Sequence, residues 1–422
     1  MEADMLRNHP QRDVLEKELQ QRFFPPLPCP CRIGHFMLTL NSHSRADELA
    51  QLQQLAASQG KLLSESDTDL ELQWPNLWLR WEKHTEFSTY SFVEPGNNAG
   101  FGPIEQLLPS ADFFDRLPGQ LFRVVQLQLV DAPRFEQEPD GQFAKAHCIS
   151  SLLAGNKARI WTDFRKHPEG GGRVLLWDYG LTASARARLV QQLFDLGNYR
   201  KLSLLGWPLT RHTLHELQAL EQQLLHITER IEQQQDSDEK LLRELCQLTA
   251  QSERLTAASS ARLEASSAYY QLTLDRLKSL REQSIDGLMS LQDFSERRLT
   301  PAFRTAQSLQ SRQRSLLERL GRSTELLRTR INVQLERQNT NLLASMEQRA
   351  RQQLALQRTV ERVSVVAISY YAVQLLDKLL VSLSSFLPWL PLKVAQCLSV
   401  PLVIGVVALL LARLHRKTRT PQ

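Results

Sequence analysis

The amino-acid sequence predicts an α+β cytosolic head, a long antiparallel helical stalk of coiled-coil-like character, and two C-terminal transmembrane helices. Three observations carry this. Most prolines, glycines and tryptophans fall in residues 1–180; residues 181–362 contain few Gly or Pro and are rich in Gln, Leu, Arg, Glu and Ser; two apolar runs follow within 363–411. Residues 412–422 form a basic tail expected in the cytosol. At 422 residues the chain exceeds one ordinary domain, and its net charge of +5 is modest, with no Lys-rich block that would suggest nucleic acid. Five scattered cysteines, Cys29, Cys31, Cys148, Cys246 and Cys397, include no CxxC pair and fit a reducing compartment. The first 21 residues are polar and lack an apolar core, so no cleavable signal peptide is expected and the head stays where it is made.

Within the head, residues 32–40 read as a strand. Ser44 is a candidate cap for a helix with Asp47 and Glu48 in its first turn and Leu49, Leu52 and Leu55 on its apolar side. Residues 77–90 and 121–130 read as further strands. In the second, Val125, Leu127 and Leu129 alternate with Gln126 and Gln128, which predicts a solvated face. Residues 158–165 and 173–178 flank the Pro- and Gly-bearing segment 167–172 and predict a hairpin that buries Ile160 and Phe164. Downstream, the helices should break at Trp207-Pro208, at Asp236-Ser237-Asp238 and at residues 284–287, with a kink at Pro301. In the last helix Leu327, Ile331, Leu335, Leu342, Met346, Ala350 and Leu354 form an apolar seam for neighbouring helices, and that helix should run on without interruption.

Residues 363–386 contain only Asp377 and Lys378 as charges, and residues 394–411 contain none, against the roughly 20 residues a spanning helix needs. Residues 387–391, Leu-Pro-Trp-Leu-Pro, make a short turn, so the two spans should be antiparallel. Seven Arg against three Glu precede the first span within 326–362, and Arg413, Arg416, Lys417 and Arg419 follow the second. Positive charge on both flanks predicts a multi-pass protein of the inner membrane with both termini in the cytosol. The first span also carries a small-and-polar stripe: Ser364, Ala367, Tyr371, Gln374, Lys378, Ser382 and Ser385 recur at steps of three or four. Such a stripe suits packing against other helices, with Lys378 reaching the headgroups, or the lining of a pore.

His9-Pro10, Phe24-Pro25-Pro26-Leu27, the run 81–90 (WEKHTEFSTY) and Trp161-Thr162-Asp163-Phe164-Arg165 form a distinctive set. Near the membrane Gln338-Asn339, Ser345-Met346, Arg349-Ala350 and residues 367–371 (AISYY) extend it. On these motifs the chain resembles, over nearly its whole length, a bacterial family of membrane-anchored proteins of unknown function. Its layout is also similar to that of CorA-type magnesium transporters, which would imply an ion path. The segment between the runs lacks the Gly-Met-Asn of those transporters, and a ring of Lys378 side chains would repel a divalent cation.

One constellation in the head offers chemistry. A strand over 77–90 puts Arg80, Glu82, His84 and Glu86 on one face, and Glu-x-His-x-Glu supplies two carboxylates and an imidazole to a divalent metal. The competing reading is an ion-paired strand face, with Arg159 or Arg165 as cross-strand partners. No nucleophile elbow, Cys/His signature or phosphate-loop pattern occurs; Gly170-Gly171-Gly172 reads as a turn. The expectation is therefore a membrane-anchored interaction or sensing protein, homo-oligomeric, without catalytic activity or cofactor, whose partners are the lipid bilayer, its own copies and at most a divalent cation, with an ion channel or transporter as the alternative.

Overall fold

The structure, a computed structural model, describes residues 9, 11–12, 15–16, 24–40, 45–59, 61–66, 68–96, 100–132, 139, 141–143, 147–234, 236–384 and 392–417. Ser44, Ser385 and the expected turn at 387–391 lie outside this set. Ten strands build one sheet: β1 (Cys31–Thr39), β2 (Lys61–Glu65), β3 (Asp69–Gln73), β4 (Trp78–Lys83), β5 (Phe87–Pro95), β6 (Gln120–Asp131), β7 (Ile149–Leu153), β8 (Ala158–Thr162), β9 (Gly172–Asp178) and β10 (Gln283–Ser284). Their order is β10-β7-β8-β9-β6-β1-β5-β4-β3-β2. Every pairing is antiparallel except β6 with β9. The helices are α1 (Arg45–Gln59), α2 (Ala183–Ser203), α3 (Trp207–Gln233), α4 (Asp238–Ser279), α5 (Leu291–Ser384) and α6 (Leu392–Lys417).

Period-two alternation gives the sheet two apolar faces. Ile33, Leu127, Leu129, Ile160 and Leu176 pack with Val190, Leu193 and Phe194 of α2 and with Leu277, Leu280 and Leu291. On the opposite face Phe36, Leu38, Leu72, Leu79, Trp81, Tyr90 and Phe92 pack with Leu52 of α1 and with Ile104, Leu107 and Phe113 of the segment before β6. The solvated face expected of β6 is therefore absent. Gln126 and Gln128 are buried, and the Gln126 amide donates to the Gly102 carbonyl, because the 101–117 segment closes over them.

The expected strand over 77–90 is two strands. After Lys83 the chain turns through His84, Thr85 and Glu86, closed by His84 N–H donating to the Phe87 carbonyl at 2.8 Å, and β5 returns beside β4 in the register Trp81↔Tyr90. No Gly, Pro or Asn marks this turn, so periodicity ran through it. The β8–β9 hairpin forms as expected: Ile160 is buried, while Phe164 is half-buried against Phe294.

The helix breaks fall where the sequence puts them, and Pro301 lies inside an unbroken α5 of 94 residues. The chain forms two compact units, one of residues 1–236 and 243–323, the other of 237–242 and 324–422. Helix α2, together with Leu274 and Leu277 of α4, packs into the sheet core. In the second unit one described helix, α5, is long and apolar enough to cross a membrane; the apolar part of α6, Cys397–Leu410, is shorter than a span. Among the described residues, one helix thus has the length and apolarity of a span where two were expected.

Candidate functional site

The residues of the expected metal face do not converge. Glu82 accepts from Arg80 Nε at 3.0 Å, and Arg80 Nη1 also donates to Glu71 at 2.6 Å, so the buried strand face is neutralised by its own ion pairs. The His84 ring stacks on Phe87 at 4.2 Å. Glu86 lies in the turn and accepts both guanidinium nitrogens of Arg262, at 2.9 and 3.1 Å, and the Tyr269 hydroxyl. The hairpin turn is what separates these groups. Nor do Arg159 and Arg165 pair across to them: Arg159 donates to Ser150 and lies over the Trp161 ring at 4.1 Å.

Among the described residues the donors that do come together are Cys29, Asp131 and Asp178, within 4.8 Å of one another. Asp178 is already engaged by Arg186 at 2.9 Å and by the backbone N–H groups of Gly180 and Leu181. Burial first, then Asp131, pushes the Cys29 thiol up to about 12, which keeps it protonated at neutral pH. Within this cluster Asp178 anchors the β9–α2 corner.

The polar stripe of α5 faces outward. Ser364 is half-buried and Ala367, Tyr371, Gln374, Lys378 and Ser382 are exposed. The side of α5 that meets α6 is mainly apolar, with Val365, Val366, Ser369, Tyr370 and Val373 opposite Val400 and Ile404. Only 6% of the most apolar 18-residue stretch of α5 is buried, unlike the core helix of a soluble protein.

A cleft of about 360 Å³ opens where β6 begins, beside the β8–β9 turn and the last turn of α2. Its walls carry Arg123, Arg165, Lys166, Arg173, Arg200 and Lys201, and no carboxylate lines it among the described residues. Four of the cations are held by local structure. Arg123 donates to Asn198 Oδ1 at 2.8 Å, and it can lie across α2 only because position 197 is glycine: a Cβ there would fall 2.1 Å from Arg123 Nη2. The Arg200 guanidinium lies 3.5 Å over the Phe164 ring, and its buried Nη1 has no hydrogen-bond partner. Lys201 donates to the Phe122 carbonyl, and Arg173 pairs with Glu169. Arg165 and Lys166 project from the turn and are exposed.

Crowding of like charge out of water is costly, and it shows in the ionisation. Burial first, then Arg123, pushes the Arg200 guanidinium down to about 9. Burial pushes Arg123 down to about 10, with Asp195 opposing, and burial with both arginines lowers Lys201. Sequence reasoning missed this site because the six cations come from four separated segments. The one local signal was the glycine run at 170–172 with Arg165, Lys166 and Arg173 on its flanks.

No curated protein and no solved structure matches the chain. A family model, described as Protein of unknown function (DUF3422), matches residues 7–418, and the chain belongs to that family.

Proposed function

We propose that this is a membrane-anchored interaction or sensing protein that works without catalysis, with its α+β part in the cytosol and with self-association through its long helix. The observation that carries this reading is the unbroken α5, which begins in the core of the sheet unit at Leu291 and ends in an apolar, exposed stretch at Ser384. A run of that length and polarity is stabilised by lipid rather than by water. In this reading the arginine-rich stretch 326–362 that precedes the apolar end of α5 stays on the positively charged, cytosolic face. The exposed polar stripe then meets the same stripe of a second copy, where helices without a hydrophobic driving force associate through small and hydroxyl side chains.

The stripe also favours a second reading, an ion path of CorA-like layout lined by α5. Lys378 at its centre argues against divalent cations. Membrane fractionation tests the first reading. The full chain is expected to stay in the membrane pellet after an alkaline wash, and a chain ending at Arg362 is expected in the soluble fraction. Release of the full chain overturns anchoring, whereas ion flux in liposomes that changes with Lys378→Glu overturns the non-transporting role.

A further inference from the structure

We infer that the cleft between the start of β6, the β8–β9 turn and the end of α2 binds a phosphate-bearing small molecule with two or more negative charges. This supplies a ligand for the sensing role proposed above, and it can stand or fall independently of membrane attachment.

Four features lead there. Charge is the first: six cations line the cleft, of which Arg173 is paired with Glu169 and five are left, while the other nearby carboxylates are already spent, Asp163 on His167 and Asp195 on Arg276. Cations at the end of α2 would complement the helix dipole, which accounts for Arg200 and Lys201 but not for the four contributed by other segments. The second is an unmet donor. Arg200 Nη1 is buried without a hydrogen-bond partner while the guanidinium lies 3.5 Å over the Phe164 ring, which in turn packs on Phe294, so the group is held in place for an acceptor that the protein does not provide. The third is the glycines. Gly197 weakens the interior of α2, yet it is what lets Arg123 reach the cleft, and Gly171 packs its backbone against Val124, where a Cβ would come within 3.0 Å. The fourth is size. About 360 Å³ is far more than a halide needs and sits at the lower end of small-molecule pockets.

Arginine forks suit both carboxylate and phosphate, and the charge count decides between them: a single carboxylate would leave most of this field uncompensated, whereas a phosphate or diphosphate group spreads two or three charges over several acceptors. The concave setting also favours a small molecule over a membrane surface or a nucleic acid, which bind to open basic faces.

Inorganic pyrophosphate titrated calorimetrically into the full-length protein in mild detergent, at 0.15 M salt, tests the inference. Saturable one-to-one binding is expected, weakened about tenfold by Arg200→Gln and about threefold by Lys166→Gln. Lys166 is exposed, so its variant keeps the test valid if Arg200→Gln does not fold. Arg211→Gln, an exposed cation of α3 outside the cleft, should leave the affinity unchanged. Displacement of pyrophosphate by ADP assigns the site to soluble phosphates, and displacement only by a glycerophosphoinositol phosphate assigns it to a lipid headgroup; both support the inference. Absence of saturable binding overturns it, as does equal weakening by Lys166→Gln and Arg211→Gln, which would mark a diffuse counter-ion effect.

Discussion

Glu48 has no exposed surface, yet it carries a carboxyl group on the first turn of α1, where its sequence position suggests a solvated acid complementing the helix dipole. Its oxygens accept from the Trp81 indole N–H at 3.1 Å, the Ser88 hydroxyl at 2.9 Å and the Tyr90 hydroxyl. These donors lie 33 to 42 residues away, on β4 and β5, so no local pattern could have announced them. Burial raises the Glu48 carboxyl above its ordinary 4.5, against the opposing pull of its three donors. A raised value means that the folded protein binds this proton more tightly than the unfolded chain, so stability falls as pH rises from about 4.5 through the folded value. Glu48→Gln mimics the protonated acid and is expected to gain on the native protein as pH rises across that window, in denaturant unfolding followed by tryptophan fluorescence. Glu48→Ala strands three buried donors and should cost about 3 kcal/mol at any pH. His35, buried neutral between Ser91 and Asn198, acts in the opposite sense: burial lowers its value, so its stability is lost as pH falls below about 6.5. It is common to both proteins, and their difference cancels it.

At the scale of elements, alternation and helical period located β1, β6, β8, β9 and the helix breaks because these patterns are local, and left β2, β3, β7 and β10 unread. They failed where the partner was distant. The apolar side of β4 was legible in Leu79 and Trp81, but the turn at His84-Thr85-Glu86 was not, and that turn breaks the alignment of Glu82, His84 and Glu86 along one strand. Gln126 and Gln128 looked solvated because nothing in β6 reveals that residues 101–117 fold over them. The cationic cleft was illegible for the same reason, being assembled from four segments, and Gly197 is the one residue of α2 that betrays it. In an ordinary helix interior, glycine to alanine gains up to about 1 kcal/mol. Here the new Cβ displaces Arg123 from Asn198 and from the Phe194 carbonyl. Gly197→Ala is therefore expected to leave helix content by circular dichroism unchanged, to gain no stability, and to weaken pyrophosphate binding about tenfold, as loss of a charge-assisted contact would. A fully stabilised variant with native affinity would show that the glycine serves α2 alone.

At the scale of the molecule, the sequence marked the long helix α5 and its apolar segment, while the packing of α2 and of the end of α4 on the sheet core was hidden. A periodic apolar face looks the same whether a helix or a sheet will cover it. The seam of α5 raises the converse question, since residues 332–360 are exposed throughout and Leu335, Leu342, Met346 and Leu354 are 52%, 60%, 64% and 56% exposed. Four large apolar groups on one face of a helix that lies outside the apolar stretch are costly in water, and burying each is worth about 1.5–3 kcal/mol. At about 100° per residue this seam and the stripe from Ser364 to Ser382 fall on the same side of α5, so one pairing of copies buries both. Parallel self-association along this face is thus the expected state, with knobs-into-holes contacts at the seam continuing into small-residue packing. Replacing Leu342 and Met346 together by Lys puts two like charges at the pairing line and should shift the detergent-solubilised protein to monomer in light scattering at micromolar concentration. Gln348→Lys, on the far side of the helix, should not. If the native protein is itself monomeric over that range, the seam has another occupant, and self-association through α5 is abandoned while anchoring stands.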